Sequence, residues 1–170
     1  MNKFFIHIIL FCTVILFTTG CSTTRRLAAD ETLYTGVKKI TFTQESDDFE
    51  ISGAAESTAK EPLSIAPNNP LYAPYWRTPL PIGLWAYNYL YTPKEKGFKY
   101  WLYKRLAKSP VLISDVRPEL RTKVVNNILE NYGYFGATTD YELLPRKRRP
   151  QKARVSYHIH VPAPSFYSKI

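Results

Sequence analysis

His158 and His160 stand two residues apart in a stretch that alternates apolar and polar residues, so both imidazoles share one face of a predicted strand. This spacing can bind a metal ion, but no cysteine, third histidine or evident carboxylate pair completes the site. No nucleophile elbow, zinc-protease motif or phosphate-binding loop occurs in the chain. The acidic residues are better explained by a turn, a helix start and a strand face: Asp115, Glu119, Asp140 and Glu142. We therefore predict a non-enzyme with no catalytic residue, metal site or cofactor.

Cys21 follows an N-terminal segment whose residue types come in a characteristic order. Lys3 gives a positive start, residues 4–17 are almost entirely apolar, and small residues lead up to the cysteine. This order is typical of an export signal over residues 1–20, since the apolar run is short for crossing ~30 Å of hydrocarbon. The alternative is an uncleaved anchor helix. Cleavage would remove Cys12 and leave a single cysteine, which excludes an intramolecular disulfide.

A lone cysteine directly after such a signal resembles the acylated cysteine of bacterial lipoproteins. Thr18 departs from that motif, which usually has an aliphatic residue at this position. The resemblance implies lipid attachment at Cys21 and a tether over residues 21–31. Several acyl chains would then hold the protein on a membrane.

Charge is divided unevenly along the chain. Residues 22–75 have five basic and eight acidic side chains, whereas residues 76–170 have seventeen basic and six acidic ones. A basic half is typical of proteins that meet nucleic acid or anionic membrane. Because an exported protein rarely meets nucleic acid, we expect anionic lipid or a protein partner. A cationic membrane-active or nucleic-acid-binding protein would require the export signal to be false.

The densest basic run is Arg146, Lys147, Arg148 and Arg149, placed in a predicted loop 145–152 between two strands. One interpretation is a solvated hairpin tip that deters edge-to-edge aggregation. The other is contact with anionic headgroups, where each basic residue contributes ~1 kcal/mol.

The first half of the mature chain predicts one strand, a loop and two helices. Residues 37–43 alternate like a strand, and the acidic segment 44–69 has no periodicity and is predicted to be a linker or surface loop. Residues 84–91 and 98–107 predict two aromatic helices split by Pro93. We expect the first to be buried, with a membrane interface as the alternative. In the second, the apolar residues share one side: Phe98, Trp101, Leu102 and Leu106.

The second half predicts a strand, a helix and two paired strands. Residues 111–113 predict a short strand, and Pro118 is suited to the first turn of a helix. Its predicted apolar face comprises Leu120, Val124, Ile128 and Tyr132, widened by Val125 and Leu129. Gly133 is the predicted helix stop. Residues 139–143 and 155–161 then alternate as antiparallel strands, which predicts an α+β layer with helix over one face.

Several of these motifs together resemble the N-terminal periplasmic region of BamA/TamA-type outer-membrane assembly proteins, in particular the TamA-like lipoproteins of Bacteroidetes. They are Tyr75-Trp76-Arg77-Thr78-Pro79, Gly83-Leu84-Trp85, Pro110-Val111-Leu112-Ile113, Pro118-Glu119-Leu120-Arg121 and Asn131-Tyr132-Gly133-Tyr134-Phe135. In that family such segments form POTRA domains, with the pattern strand, helices, two strands. The resemblance implies a first POTRA-like region over 32–109, a POTRA-like β-α-β-β module over 110–165, and the start of a further strand over 166–170.

The resemblance also implies a function and a location. POTRA domains receive or guide proteins bound for the outer membrane, so the implied partners are unfolded outer-membrane protein clients and a TamB-like or BamA-complex protein. The implied location is the outer membrane, lipid-anchored and facing the periplasm. The alternative is a stand-alone envelope lipoprotein with a structural or adaptor role.

Two departures limit what the resemblance implies. The 170 residues do not include the many alternating strands of a barrel, so we expect a truncated chain without the barrel's insertase activity. Arg117 stands where the family often has a helix-capping Asn.

An unpaired strand in such a module can bind an extended client by β-augmentation. We expect that edge near 111–114 or 153–161, with partner-binding residues Val111, Leu112, Ile113, Val155, Tyr157 and Ile159.

Overall fold

The computed structural model describes residues 23–46, 48–67 and 81–165. The predicted signal, Cys21 and the strand start at 166–170 lie outside these ranges. In chain order the elements are β1 (Leu33–Gln44), α1 (Gly53–Lys60), a 3-10 turn (Glu61–Leu63), α2 (Ile82–Tyr89), α3 (Phe98–Leu106), α4 (Ile113–Val116), α5 (Pro118–Asn131), β2 (Thr138–Arg146) and β3 (Arg149–Val161). The chain is a mixed α+β unit, as predicted.

The three strands form one sheet in the order β1-β3-β2. β3 runs parallel to β1, with Ile40 beside Tyr157, and antiparallel to β2, with Tyr141 beside Tyr157. The antiparallel pairing of the last two strands is therefore confirmed. The predicted strand at 37–43 is also confirmed and begins four residues earlier, at Leu33.

The predicted loop 145–152 is wrong, because β2 and β3 pair up to Arg146 and Arg149. Only Lys147 and Arg148 form the turn between them. Pro145 belongs to β2, and proline is compatible with an edge strand because its missing N–H need not pair outward. The prolines and the charge run suggested a loop, but strand pairing continues through them.

Helices α1 and α5 cover one face of the sheet. From the sheet, the core takes alternate residues of β3: Val155, Tyr157, Ile159 and Val161. From α5, the buried residues are Pro118, Thr122, Val125 and Leu129. The predicted apolar stripe of α5 is thus partly wrong: Val125 and Leu129 face the core, whereas Leu120, Val124 and Tyr132 are exposed. The other face of the sheet is polar.

The segment 44–69 is not a loop throughout, because it contains α1. Ile51, Ala55, Ala59 and Leu63 are buried, four residues apart along the chain. The Ser52 side chain accepts a hydrogen bond from the Ala55 N–H at 3.2 Å and caps the helix. Alanines contribute little apolar area, so this periodicity was obscured by the acidic surroundings.

The division into two regions at 109/110 is also wrong. β1, from the first predicted region, is in one sheet with β3, from the second. α1, from the first region, packs in one core with α5, from the second. The predicted strand 111–113 is only a bridge between Leu33 and Leu112, because α4 begins at Ile113. Sequence distance concealed that β1 is the parallel neighbour of β3.

Helices α2 and α3 form a hairpin. The predicted bounds of the two helices, 84–91 and 98–107, are confirmed to within two residues. The Lys108 N–H donates to the Gly83 carbonyl at 3.1 Å and closes the hairpin. A Cβ on Gly83 would lie 2.9 Å from Lys108 Cγ, so any larger residue there would force the Lys108 side chain to move. Among the described residues, no helix combines the length and apolar character needed to span a bilayer.

Candidate functional site

The outer edge of β2 is the first candidate surface. One side of β2 pairs with β3, and among the described residues no backbone hydrogen bond connects its other side to a further segment. Tyr141 and Leu143 on this strand are 40 % and 42 % exposed. They lie on the same face of the sheet as the buried Tyr157 and Val155 of the central strand, but at the edge of that face. We call this surface the open edge; it offers unpaired backbone groups beside half-exposed apolar side chains.

The predicted edge at 153–161 is wrong. β3 is the central strand and pairs on both sides, and Val155, Tyr157 and Ile159 are buried in the core. Their regular alternation indicated a buried face correctly, but alternation alone does not distinguish a central strand from an edge strand.

Val111, Leu112 and Ile113 lie against the beginning of β1. The Tyr34 N–H donates to the Val111 carbonyl, and the Ile113 N–H donates to the Thr32 carbonyl, both at 2.9 Å. This segment therefore already pairs part of the outer edge of β1. The 111–113 segment therefore lies at the β1 edge of the sheet, near the predicted edge, whereas β2 is the other edge strand and the open edge offers a place where a strand can be added.

The polar face of the sheet contains the two histidines. His158 lies beside Asp140 in the antiparallel register, and both histidines are exposed, as predicted. In the part of the chain that the structure describes, no group of three or more His, Cys, Asp or Glu side chains could hold a metal ion.

The N-terminal segment and the α2–α3 hairpin form the second candidate surface. Asn88 of α2 is buried; its Oδ1 accepts from the Arg26 N–H at 3.0 Å and its Nδ2 donates to the Thr23 carbonyl at 3.3 Å. The Arg26 guanidinium lies over the Tyr91 ring, 3.8 Å from its centroid, a cation–π contact. The chain two residues after Cys21 is thus fixed to the hairpin.

We call residues 146–149, the turn of the β2–β3 hairpin with its two flanking arginines, the basic turn; it lies at the same end of the molecule. Arg146 and Lys152 line a cavity of about 230 Å3 together with Thr23 and Leu84, so the turn, the N-terminal segment and α2 meet there. Lys152 is only 8 % exposed. Burial lowers the pKa of Lys152, and the nearby Arg149 and Arg146 lower it further. Arg146, Lys147, Arg148 and Arg149 themselves are exposed.

The last element at this end is α3, none of whose residues is buried. Phe98 and Trp101 stack with centroids 5.8 Å apart and are 76 % and 57 % exposed. The predicted apolar side of this helix is therefore divided, because Leu102 and Leu106 are partly covered while the two rings face outward. We call the N-terminal segment, the α2–α3 hairpin and the basic turn the basic–aromatic end.

Comparison with known proteins gives no match: no family model, no curated protein and no solved structure is significantly similar to the chain.

Proposed function

We propose that this protein is a periplasmic POTRA-type interaction module, anchored in the outer membrane by lipid at Cys21, that binds extended segments of outer-membrane protein clients by strand addition. The element order supports this proposal. β1, the helices, β2 and β3 follow one another as strand, helices, two strands, the pattern that the resemblance to BamA/TamA-type proteins implies.

The observation that carries the proposal is the open edge. A strand without an outer neighbour leaves N–H and C=O groups that an extended client can pair with, and this bonding demands little sequence specificity. Tyr141 and Leu143 would contact alternate apolar side chains of the client on one face. Asp140 and Glu142 would meet its polar residues on the other face.

Site-specific photocrosslinking tests the open edge. A photoreactive residue replaces Glu142 on β2 or, as control, the exposed Asn127 on α5. The ligand is an unfolded outer-membrane protein or a peptide that corresponds to one of its strands. We expect crosslinks from position 142 and not from 127, because cross-strand neighbours lie ~5 Å apart. Equal crosslinking from both positions, or binding with none at 142, would contradict strand addition.

The anchor is tested separately by Cys21→Ala. We expect the substituted chain to lose the gel-mobility shift of acylation and to leave the outer-membrane fraction, because the attached acyl chains provide the durable attachment. Unchanged mobility and fractionation would disprove lipidation at Cys21.

The basic turn is proposed to contact anionic headgroups, since its four basic residues are exposed and Arg146 lines a cavity with Thr23 of the N-terminal segment. Replacing all four with serine is expected to weaken binding to anionic vesicles at low salt, by ~1 kcal/mol per charge at most. The control is serine at Lys38 and Lys39, which are exposed on β1. Undiminished binding of the four-serine variant would indicate a merely solvated hairpin tip.

The alternative function is a structural adaptor in the envelope. The exposed pair Leu120 and Val124, four residues apart on α5, favours this second candidate because it can pack on a folded partner. A photoreactive residue at Leu120 that captures one defined envelope protein, together with no client crosslink at Glu142, would favour the adaptor.

A further inference from the structure

The α3 helix leaves two large aromatic rings, those of Phe98 and Trp101, mostly exposed. Phe98, Trp101 and Arg105 are three and four residues apart, so they share one face of the helix. The adjoining flank of the same apolar side, with Leu102 and Leu106, is partly covered, and Leu106 lines an apolar groove with Trp85 and Leu90 of the α2 region. Because that flank already has its partner, the outward rings are available for a second surface.

The charges around these rings are almost all positive. Residues 94–108 contain six basic side chains and one acidic side chain, Glu95. Both ion pairs in the described part of the chain lie elsewhere, between Lys60 and Glu56 and between Lys123 and Glu119. The positive charge of the hairpin is therefore not neutralised by the protein, and its complement is an anionic surface.

The combination of residues distinguishes a membrane from a protein partner. The cores of protein–protein interfaces are depleted in lysine, whereas aromatic rings flanked by Lys and Arg are typical of helices at the bilayer interface. α3 has nine residues and is about 14 Å long, so it can lie along the bilayer surface and not across it.

The position of the chain start points to the same partner. Asn88 fixes Thr23 to the hairpin, and Cys21 is two residues before Thr23. Two residues of chain reach at most ~8 Å, so a lipid on Cys21 would enter the bilayer close to the hairpin. This step rests on the proposed anchor; the exposure and charge of α3 do not.

We propose that the α2–α3 hairpin binds the surface of an anionic phospholipid bilayer, with Phe98 and Trp101 inserted past the headgroups to the upper part of the acyl chains and Lys99, Lys104 and Arg105 on the lipid phosphates. Arg105 lies on the same face as the rings, so its guanidinium can extend to a phosphate while its methylenes remain among apolar groups. The hairpin thereby orients the sheet relative to the membrane, which a flexible lipid tether alone does not do.

The test measures insertion of Trp101 and not attachment of the chain. The full lipidated protein is reconstituted into vesicles that contain phospholipid with brominated acyl chains, either with phosphatidylglycerol or with phosphatidylcholine alone. The lipid anchor attaches the protein in both cases, so quenching of tryptophan fluorescence reports ring depth. We expect strong quenching in phosphatidylglycerol vesicles that is lost in Trp101→Phe and retained in the matched control Trp85→Phe.

The charge contribution is tested by replacing Lys99, Lys104 and Arg105 with glutamine. We expect quenching to fall to the level seen in phosphatidylcholine, with an unchanged circular dichroism spectrum showing that the helices remain folded. If anionic vesicles give no quenching that depends on Trp101, the inference is wrong. So would shielding of Trp101 that depends on protein concentration without vesicles, since that would identify a second copy as the occupant.

Failure here can be separated from failure of the proposed function. If Cys21 carries no lipid, the protein does not co-float with neutral vesicles, and Trp101 quenching is then measured by adding anionic vesicles to the purified full chain. If the anchor and the client crosslink at position 142 hold but Trp101 is not quenched, only the hairpin inference is wrong.

Discussion

The backbone N–H of Arg26 donates to the side-chain Oδ1 of Asn88 at 3.0 Å, although 62 residues separate them in the chain. The same amide group donates to the carbonyls of Thr23 and Leu84. One buried side chain therefore connects the segment after Cys21 to the α2–α3 hairpin. The sequence predicted a tether over residues 21–31. This connection instead makes the segment from Thr23 onward part of the folded unit.

Replacing Asn88 with leucine is expected to release this segment. The substitution removes both hydrogen bonds to it and leaves the Arg26 N–H unpaired, at a cost of about 1–3 kcal/mol in the free energy of local opening. Trypsin should then cut faster after Arg25 and Arg26. Asn127→Leu, on the exposed side of α5, is the control. Equal cleavage rates in the two variants would show that Asn88 does not hold the segment.

Gly133 ends α5 with φ +89°, a conformation that favours glycine. Gly133→Val should lower the free energy of unfolding by about 1 kcal/mol or more, measured by urea denaturation. A matched control is Gly53→Ala at the start of α1, where φ is not positive and an added Cβ meets no atom within 4 Å. Alanine there should be neutral or slightly stabilising. A neutral effect at position 133 would mean that the helix does not stop there.

Arg117 is the only non-glycine residue with positive φ among those described, at +47°. It precedes α5, and its side chain makes no capping hydrogen bond. Arg117→Asn should raise the free energy of unfolding by up to about 1 kcal/mol, because asparagine tolerates the left-handed region better. Arg117→Ala also removes the charge, but alanine does not tolerate the left-handed region better than arginine does. We therefore expect no increase in the free energy of unfolding. If alanine stabilises as much as asparagine in thermal unfolding, backbone strain is not the cause.

Tyr157 is buried at the centre of β3, and its hydroxyl has no hydrogen-bond partner among the described residues. Burial raises the pKa of Tyr157 to about 12, with a smaller contribution from the neighbouring Tyr34. An unfolded tyrosine titrates near pH ~10, so between these values the unfolded state loses a proton that the folded state keeps. The stabilisation is present below pH ~10 and is lost as pH rises toward 12.

Tyr157→Phe tests this pH dependence. The free energy of unfolding of the parent chain should fall more steeply between pH 9 and 11 than that of the phenylalanine variant. At pH 7 the variant should be equally stable or slightly more stable, since it buries no unpaired hydroxyl. A large loss of stability at pH 7 would reveal an unseen partner of the hydroxyl, and identical pH profiles would contradict the raised pKa.

Local signals of the sequence determined much of the fold. Pro118 and Gly133 mark the start and end of α5 because their effects on the backbone require no distant contact. The alternation of Val155, Tyr157, Ile159 and Val161 marks the buried face of β3. The α2–α3 hairpin was likewise predictable, since Pro93 interrupts two aromatic helical patterns.

Other features were decided only by the tertiary structure. β3 is central because β1, more than a hundred residues earlier, pairs with it, and no local pattern records the neighbour of a strand. For the same reason no local pattern showed that 153–161 is central and that the open edge lies on β2. α1 was missed because its core contacts are alanines, whose burial depends on how closely α5 approaches.

The sequence by itself therefore determined which residues are apolar, basic or conformationally special, including the aromatic and basic character of the α2–α3 hairpin. Only the tertiary structure decided which of them remain exposed. Phe98 and Trp101 face outward because α2 packs on the adjoining flank of α3, and Thr23 lies against α2 because Asn88 holds it there. Exposure is a property of the packed chain, since it depends on which surfaces are already covered.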